Sequence, residues 1–203
     1  QPRHGSTRIA LAGGCAANSV ANGKIRRRTK YSHVYVQSAA GDAGGAIGAA
    51  FAHWHAAGNP RSFAMDHAYW GPAASHDEIQ GLIDARDGEI AAADCTIEKI
   101  EDEAELCRRT AAAIAEGKVI GWFQGRMEWG PRALGNRSIL GDPRRADMKD
   151  ILNLKIKRRE SFRPFAPSIL DRATGDWFEE VDEVPFMMQV FQFREEKRAL
   201  VPA

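Results

Sequence analysis

"KVIGWFQGRMEWGPRALGNRSILGDPR", residues 118–144, opens on an apolar run and then sets Arg126, Arg132, Arg137 and Arg144 among Gly125, Gly130, Gly135 and Gly141. The run through Phe123 has the length and composition of a short buried strand. The residues after Phe123 do not have ordinary loop chemistry. Glycine lets a backbone turn tightly and approach a ligand, and a guanidinium group grips phosphate or carboxylate through two parallel hydrogen bonds. Arginines interleaved with glycines therefore predict a backbone wrapped around an anion.

Farther along the chain, "LKIKRRESFRPFAPS" (154–168) adds Lys157, Arg158, Arg159 and Arg163 after a helical stretch containing "MKDILNLKIKRR". From Gln124 to Arg163, eleven Lys/Arg stand against five Asp/Glu, although the whole chain carries a net charge of only +1. A run of charge is ordinarily a solvated face. A solvated face has no need of the glycines and proline in "GPRALGNR", so the two clusters are expected to line one pocket for a phosphate-rich ligand. Near-neutral net charge, with only Trp129 at hand for stacking, argues against nucleic acid as the partner.

Upstream, "TRIALAGG" (7–14) predicts a strand ending on a glycine pair, with a short helix over 16–23. "HVYVQ" (33–37) predicts a second strand, and a small-residue turn then enters an Ala-rich helix ended by Gly58 and Pro60. Residues 59–75 form an irregular connector. Ser75 and Glu78 have capping-box spacing for a helix to about Arg86. A short strand is expected within 89–100, a helix over 102–117 stopped by Gly117, and a strand over "FMMQVFQF" (186–193). The sum is a mixed α/β fold that changes character near residues 75–90, where one domain ends and another begins.

Two glycine-rich turns carry candidate chemistry. In "LAGGCAANSVANGK" (11–24), Gly13 and Gly14 follow a strand and precede a helix whose free N–H groups suit phosphate or ribose. Asn18 and Asn22 fall four apart, where their amides could hydrogen-bond a sugar or base; the alternative is a plain strand–helix turn. The stretch is neither a Walker A loop nor a GxGxxG fingerprint. In "AAGDAGGAIGAA" (39–50), Asp42 could ligate a metal or cap the following helix, and on residue pattern alone the cap is preferred. His53 and His55, two apart on a helix, face different ways and are read as structural. Cys15, Cys95 and Cys107 share no metal-ligand spacing and predict reduced, mostly structural thiols in a cytoplasmic protein. No apolar run reaches the ~18 residues of a membrane span.

Taken together, "GRMEWGPRALGNRSIL", "NLKIKRRESFRPFAPS", "LAGGCAANSVANGK" and "VYVQSAAGDAGGAIGAA" resemble the O-carbamoyltransferases that decorate antibiotics and rhizobial Nod factors, over nearly the whole chain. The resemblance implies that residues 1–85 are the C-terminal part of an actin-like, sugar-kinase-like carbamoyltransferase domain. Residues 86–203 would begin a YrdC-like domain that makes carbamoyl adenylate from carbamoyl phosphate and ATP. Gly13, Gly14 and Asn18 then fall on the adenosine-binding turn. Asp42 falls on an aspartate ligating a divalent metal, iron or magnesium, which replaces the cap reading. Lys157, Arg159 and Arg163 match the phosphate-binding basic positions, with Arg126 and Arg132 lining the same pocket. The implied partners are ATP, carbamoyl phosphate and a hydroxyl-bearing acceptor such as a Nod factor or antibiotic sugar. The sequence departs from the family in lacking the paired H-x-x-x-H histidines and the Asn-containing segment that closes the second pocket. It is therefore expected to be a piece of the enzyme; the alternatives are an inactive truncated remnant or a nucleic-acid-binding module.

Overall fold

A computed structural model describes residues 5–203 and shows a mixed α/β chain built on two small sheets. In the first, β1 (Arg8–Leu11) and β2 (His33–Val36) run parallel, from Arg8 opposite His33 to Leu11 opposite Val36. The crossover between them holds a tight helical turn at Gly14–Ala17, then α1 (Ser19–Asn22) and α2 (Ile25–Arg28). β2 alternates as a one-sided strand should: Val34 and Val36 are buried while His33 and Tyr35 are exposed. α3 (Gly44–Ala56) follows the second glycine turn.

The connector leads to α4 (His76–Ala85), where Ser75 and Glu78 make both bonds of the capping box. The strand expected within 89–100 does not form. α5 (Asp87–Ala92) takes its place, because "EIAA" is made of strong helix formers and no strand lies alongside to pair with it. α6 (Glu103–Ala115) ends as predicted on Gly117, at φ 85°.

The second sheet is an antiparallel hairpin of β3 (Ile120–Phe123) and β4 (Arg137–Leu140). Two expectations change here. β3 is half-buried at Ile120 and Trp122 but exposed at Gly121 and Phe123, so it covers one face only. "RSIL", assigned to no element from sequence, is its partner strand, and the arginine stretch is the loop of a hairpin. α7 (Met148–Asp150) then widens into a π-helix over Ile151–Lys157, ended by Arg158 at φ 48°. Two short helices, α8 (Thr174–Trp177) and α9 (Glu195–Arg198), complete the chain.

The predicted strand over 186–193 is absent; only an isolated bridge joins Phe178 and Phe193. Met187 sits at φ 56°, which breaks an extended ladder. The alternating burial survives, since Phe186 and Met188 are 2% and 3% exposed. They cover the first sheet, in one core with Ala16, Val34, Val36, Ala40, Met65 and Ala68, against which Trp129 and Leu134 also pack. Burial of this kind contributes about 1.5–3 kcal/mol per large side chain. The Asn22 amide locks the arrangement by donating to Ala16 O (2.7 Å) and Met188 O (2.9 Å). Asn22 is thus a buried structural amide, not the ligand contact its spacing allowed. Beside it the chain passes so close that a Cβ on Gly23 would lie 2.1 Å from Val190 O. Cys15, Cys95 and Cys107 are free and exposed, which does not fit their reading as mostly structural thiols.

Candidate functional site

A cleft of about 930 Å³ opens where β1 and β2 end, and Gly13 and Asp42 both line it. Carboxyl ends of parallel strands are where such sheets receive ligands, because the glycine turns expose backbone there. Gly13 takes φ 96° and donates its N–H to Ala40 O at 2.7 Å, joining the two glycine turns. The glycines of α3 leave its near side open, while Ile47, Phe51, Phe63 and Met65 give the cleft an apolar wall. The Tyr35 hydroxyl donates to Met65 O at 3.2 Å, and burial, then Asp66, push its pKa up.

Asp42 is exposed and does not cap α3, whose N-cap is Ala43 with no side-chain bond. Asn18 accepts the Ala21 N–H and so caps α1; neither Asn18 nor Gly14 lines the cleft. His55 stacks on Phe51 and lies 3.4 Å from Asn59 O, in keeping with a structural role. Among the described residues no three His, Cys, Asp or Glu side chains gather around a common point.

Where an external anion was expected, the arginine hairpin closes around a carboxylate of the protein itself, that of Glu128. One carboxylate oxygen accepts the N–H groups of Leu134 (2.8 Å), Asn136 (2.9 Å) and Arg137 (3.3 Å). The other accepts the Arg137 guanidinium at 2.8 Å, with the Glu128 side chain only 4% exposed. Burial pushes the Glu128 pKa up, but the Leu134 and Asn136 N–H groups and Arg137 together outweigh it and hold the carboxyl below its usual range. Glu128 was missed from sequence, though a signal existed: it is the single acid between Gln124 and Gly141.

The other arginines have separate duties. Arg126 donates to Gly71 O (2.9 Å) and Trp70 O (3.1 Å), and with the Trp129 N–H on Ala68 O pins the hairpin to the connector. Arg132 reaches Ala17 O at 3.3 Å, beside the first glycine turn. The second basic cluster is organised by another overlooked residue, the fully buried Asn153. Its amide donates to Ser161 O (3.2 Å) and Arg163 O (2.9 Å) and accepts Arg159 Nε at 2.7 Å, so the basic loop closes around it. Arg159 also lies over the Phe165 ring, Arg163 pairs with Glu160 at 2.8 Å, and Lys157 is exposed. None of Arg132, Lys157, Arg159 and Arg163 lines the 930 Å³ cleft.

A family model for the carbamoyltransferase N-terminus matches residues 2–51, and one for the carbamoyltransferase C-terminus matches residues 111–203. The chain belongs to the carbamoyltransferase family. The first match takes in both glycine turns and Asp42; the second takes in the arginine hairpin and the loop around Asn153. Nodulation protein NolNO of Sinorhizobium fredii is 45% identical over 205 residues, covering 98% of this chain and 29% of that protein. Nodulation protein NolO of Bradyrhizobium diazoefficiens is 42% identical over 198 residues, covering 95% of this chain and 35% of that protein. The 3'-hydroxymethylcephem-O-carbamoyltransferase of Amycolatopsis lactamdurans is 35% identical over 186 residues, 91% of this chain and 32% of that protein. The chain spans about 30% of the length of the curated relatives it matches. No helix among its described residues is long and apolar enough to cross a membrane.

Proposed function

We propose that the full-length protein carrying this segment transfers a carbamoyl group from carbamoyl phosphate, through carbamoyl adenylate, to a hydroxyl of a small molecule such as a Nod factor or antibiotic sugar. The observation that carries the reading is the pairing, on one chain, of a glycine-lined cleft at the ends of parallel strands with a cation-rich hairpin. In this reading the cleft belongs to an actin-like domain ending near residue 85, and the hairpin to a YrdC-like domain beginning near residue 86. Gly13 holds the adenosine portion from the cleft lining, and Gly14 and Asn18, outside that lining in this structure, are proposed to contact it from the same turn. Arg126, Arg132, Lys157, Arg159 and Arg163 supply positive charge for ATP and carbamoyl phosphate, two anions that repel each other unless cations lie between them. Its setting is the cytoplasm.

The described residues do not by themselves build a metal centre, because Asp42 stands without two further ligating side chains. Asp42 is proposed as one ligand of a divalent ion whose other ligands lie outside this segment. When bound, such an ion would orient the adenylate phosphate.

The test is pyrophosphate release from ATP by the full-length protein, with and without carbamoyl phosphate, followed by transfer to a hydroxyl acceptor. Release that ignores carbamoyl phosphate would refute the adenylation step. Asp42→Asn is expected to lower bound metal and transfer while sparing pyrophosphate release. Equal loss of both activities in a folded variant would remove Asp42 from a role specific to transfer.

A further inference from the structure

We infer that Glu128 is the positioning residue of the arginine hairpin, and that Arg137 is its internal counter-ion and not a ligand for substrate. The significance for catalysis rests on the phosphate-handling reading above. The hairpin strands are joined by a long loop without regular structure, in which Gly125, Gly130 and Gly135 take φ 51°, 120° and 113°. Such a loop has few backbone bonds of its own to define it. Two of its N–H groups, with that of Arg137 at the start of β4, converge on Glu128, and the Asn136 amide donates to Arg126 O at 2.7 Å. The carboxylate therefore fixes where the backbone at Arg126 and the segment after Arg132 lie.

Charge divides the arginines in the same way. Arg137 is neutralised by Glu128 and held over the Phe123 ring, 5.0 Å from its centroid. Arg126 and Arg132 touch only backbone carbonyls and, among the described residues, form no ion pair, so their charge stays available to an external anion. A carbonyl contact orients a guanidinium without cancelling its charge. Glu128 thus spends one arginine on holding the loop and leaves two cations set by it.

The experiment uses Glu128→Gln in the full-length protein. This change keeps the size of the side chain but removes its charge and turns an amide N–H₂ toward the guanidinium or the backbone donors. Amide hydrogen exchange at Leu134, Asn136 and Arg137 should accelerate at least about tenfold, with exchange in the parallel sheet unchanged. KM for carbamoyl phosphate in pyrophosphate release should rise about tenfold, more than kcat falls, as expected when cations are mis-set for binding. Unchanged exchange at the three amides overturns the inference, as does faster exchange with unchanged KM. If wild-type protein releases no pyrophosphate, the functional reading fails. Direct binding of pyrophosphate then decides the role of Glu128: about tenfold weaker binding in Glu128→Gln supports it, and equal affinity overturns it. Should that variant not fold, Arg137→Lys replaces it. Pyrophosphate affinity near wild type is expected there, and a tenfold loss would make Arg137 a ligand and overturn the inference.

Discussion

Replacing Gly23 with alanine sets two effects of opposite sign against each other. Gly23 has helical angles, φ −63° and ψ −17°, so local backbone preference alone favours alanine by about 0.5–1 kcal/mol. The new Cβ, however, would lie 2.1 Å from Val190 O and 2.9 Å from Val190 N, where ordinary contact begins at 3.4 Å. The 186–190 segment would have to retreat by more than an ångström. It is held there by the Asn22 bond to Met188 O and by buried Phe186 and Met188. Overpacking of this kind costs about 1–3 kcal/mol, and sterics should win by about 1–2 kcal/mol net. Gly81, inside α4 with nothing within 4 Å of its Cβ position, provides the control: Gly81→Ala should stabilise by about 0.5–1 kcal/mol. Equilibrium unfolding in urea, followed by circular dichroism, measures both. A Gly23→Ala protein as stable as wild type, or two variants that shift together, would refute the close packing of the C-terminal segment on α1.

Asp142 should make the stability of the hairpin's far end acid-sensitive. The Arg144 guanidinium and then the Arg144 N–H bring its pKa from 3.8 down to about 2. Because the folded value is depressed, this stabilisation is present above about pH 4 and is lost as pH falls toward 2. Asp142→Asn should be less stable than wild type at pH 7 and converge with it near pH 2, and parallel unfolding profiles would refute this. Gly48 lines the cleft with open space at its Cβ position, so Gly48→Leu should fold normally yet weaken nucleotide binding at least about tenfold by filling the site. Because ATP itself is assigned to the cationic hairpin, transfer from preformed carbamoyl adenylate by the full-length protein reads this, and an unchanged KM for the adenylate would exclude the cleft as its site.

Local signals in the sequence proved legible where the responsible atoms lie close together along the chain. The Ser75–Glu78 capping box, the Gly117 stop and the two strand-to-glycine turns all depend on neighbours within a few residues. Strand 137–140 was hidden because its pairing partner lies across the whole arginine loop. The 186–193 segment kept a strand's alternation, but period two reports which side is buried, not whether a ladder forms. The same limit applied at the site. Arginine and glycine announced an anion, but composition could not say that the anion was Glu128 or that Asn153 would gather the second basic loop. Asn22 shows the converse: its spacing from Asn18 was visible, and the Met188 carbonyl that occupies it, 166 residues away, was not.

That long reach also bears on how the molecule is made. At a synthesis rate of about 5–20 residues per second, roughly 8–33 s separate the appearance of Asn22 from that of Met188 on the ribosome. Once Met65 has been translated every wall of the cleft exists, yet Val34 and Val36 still have no Phe186 or Met188 to cover them until the end of that interval. Contacts this distant are slow to close even after they become available. The nascent chain therefore displays an apolar sheet face while the residues between β2 and Phe186 are translated, and the exposure of that face to aggregation or chaperone capture lasts at least as long.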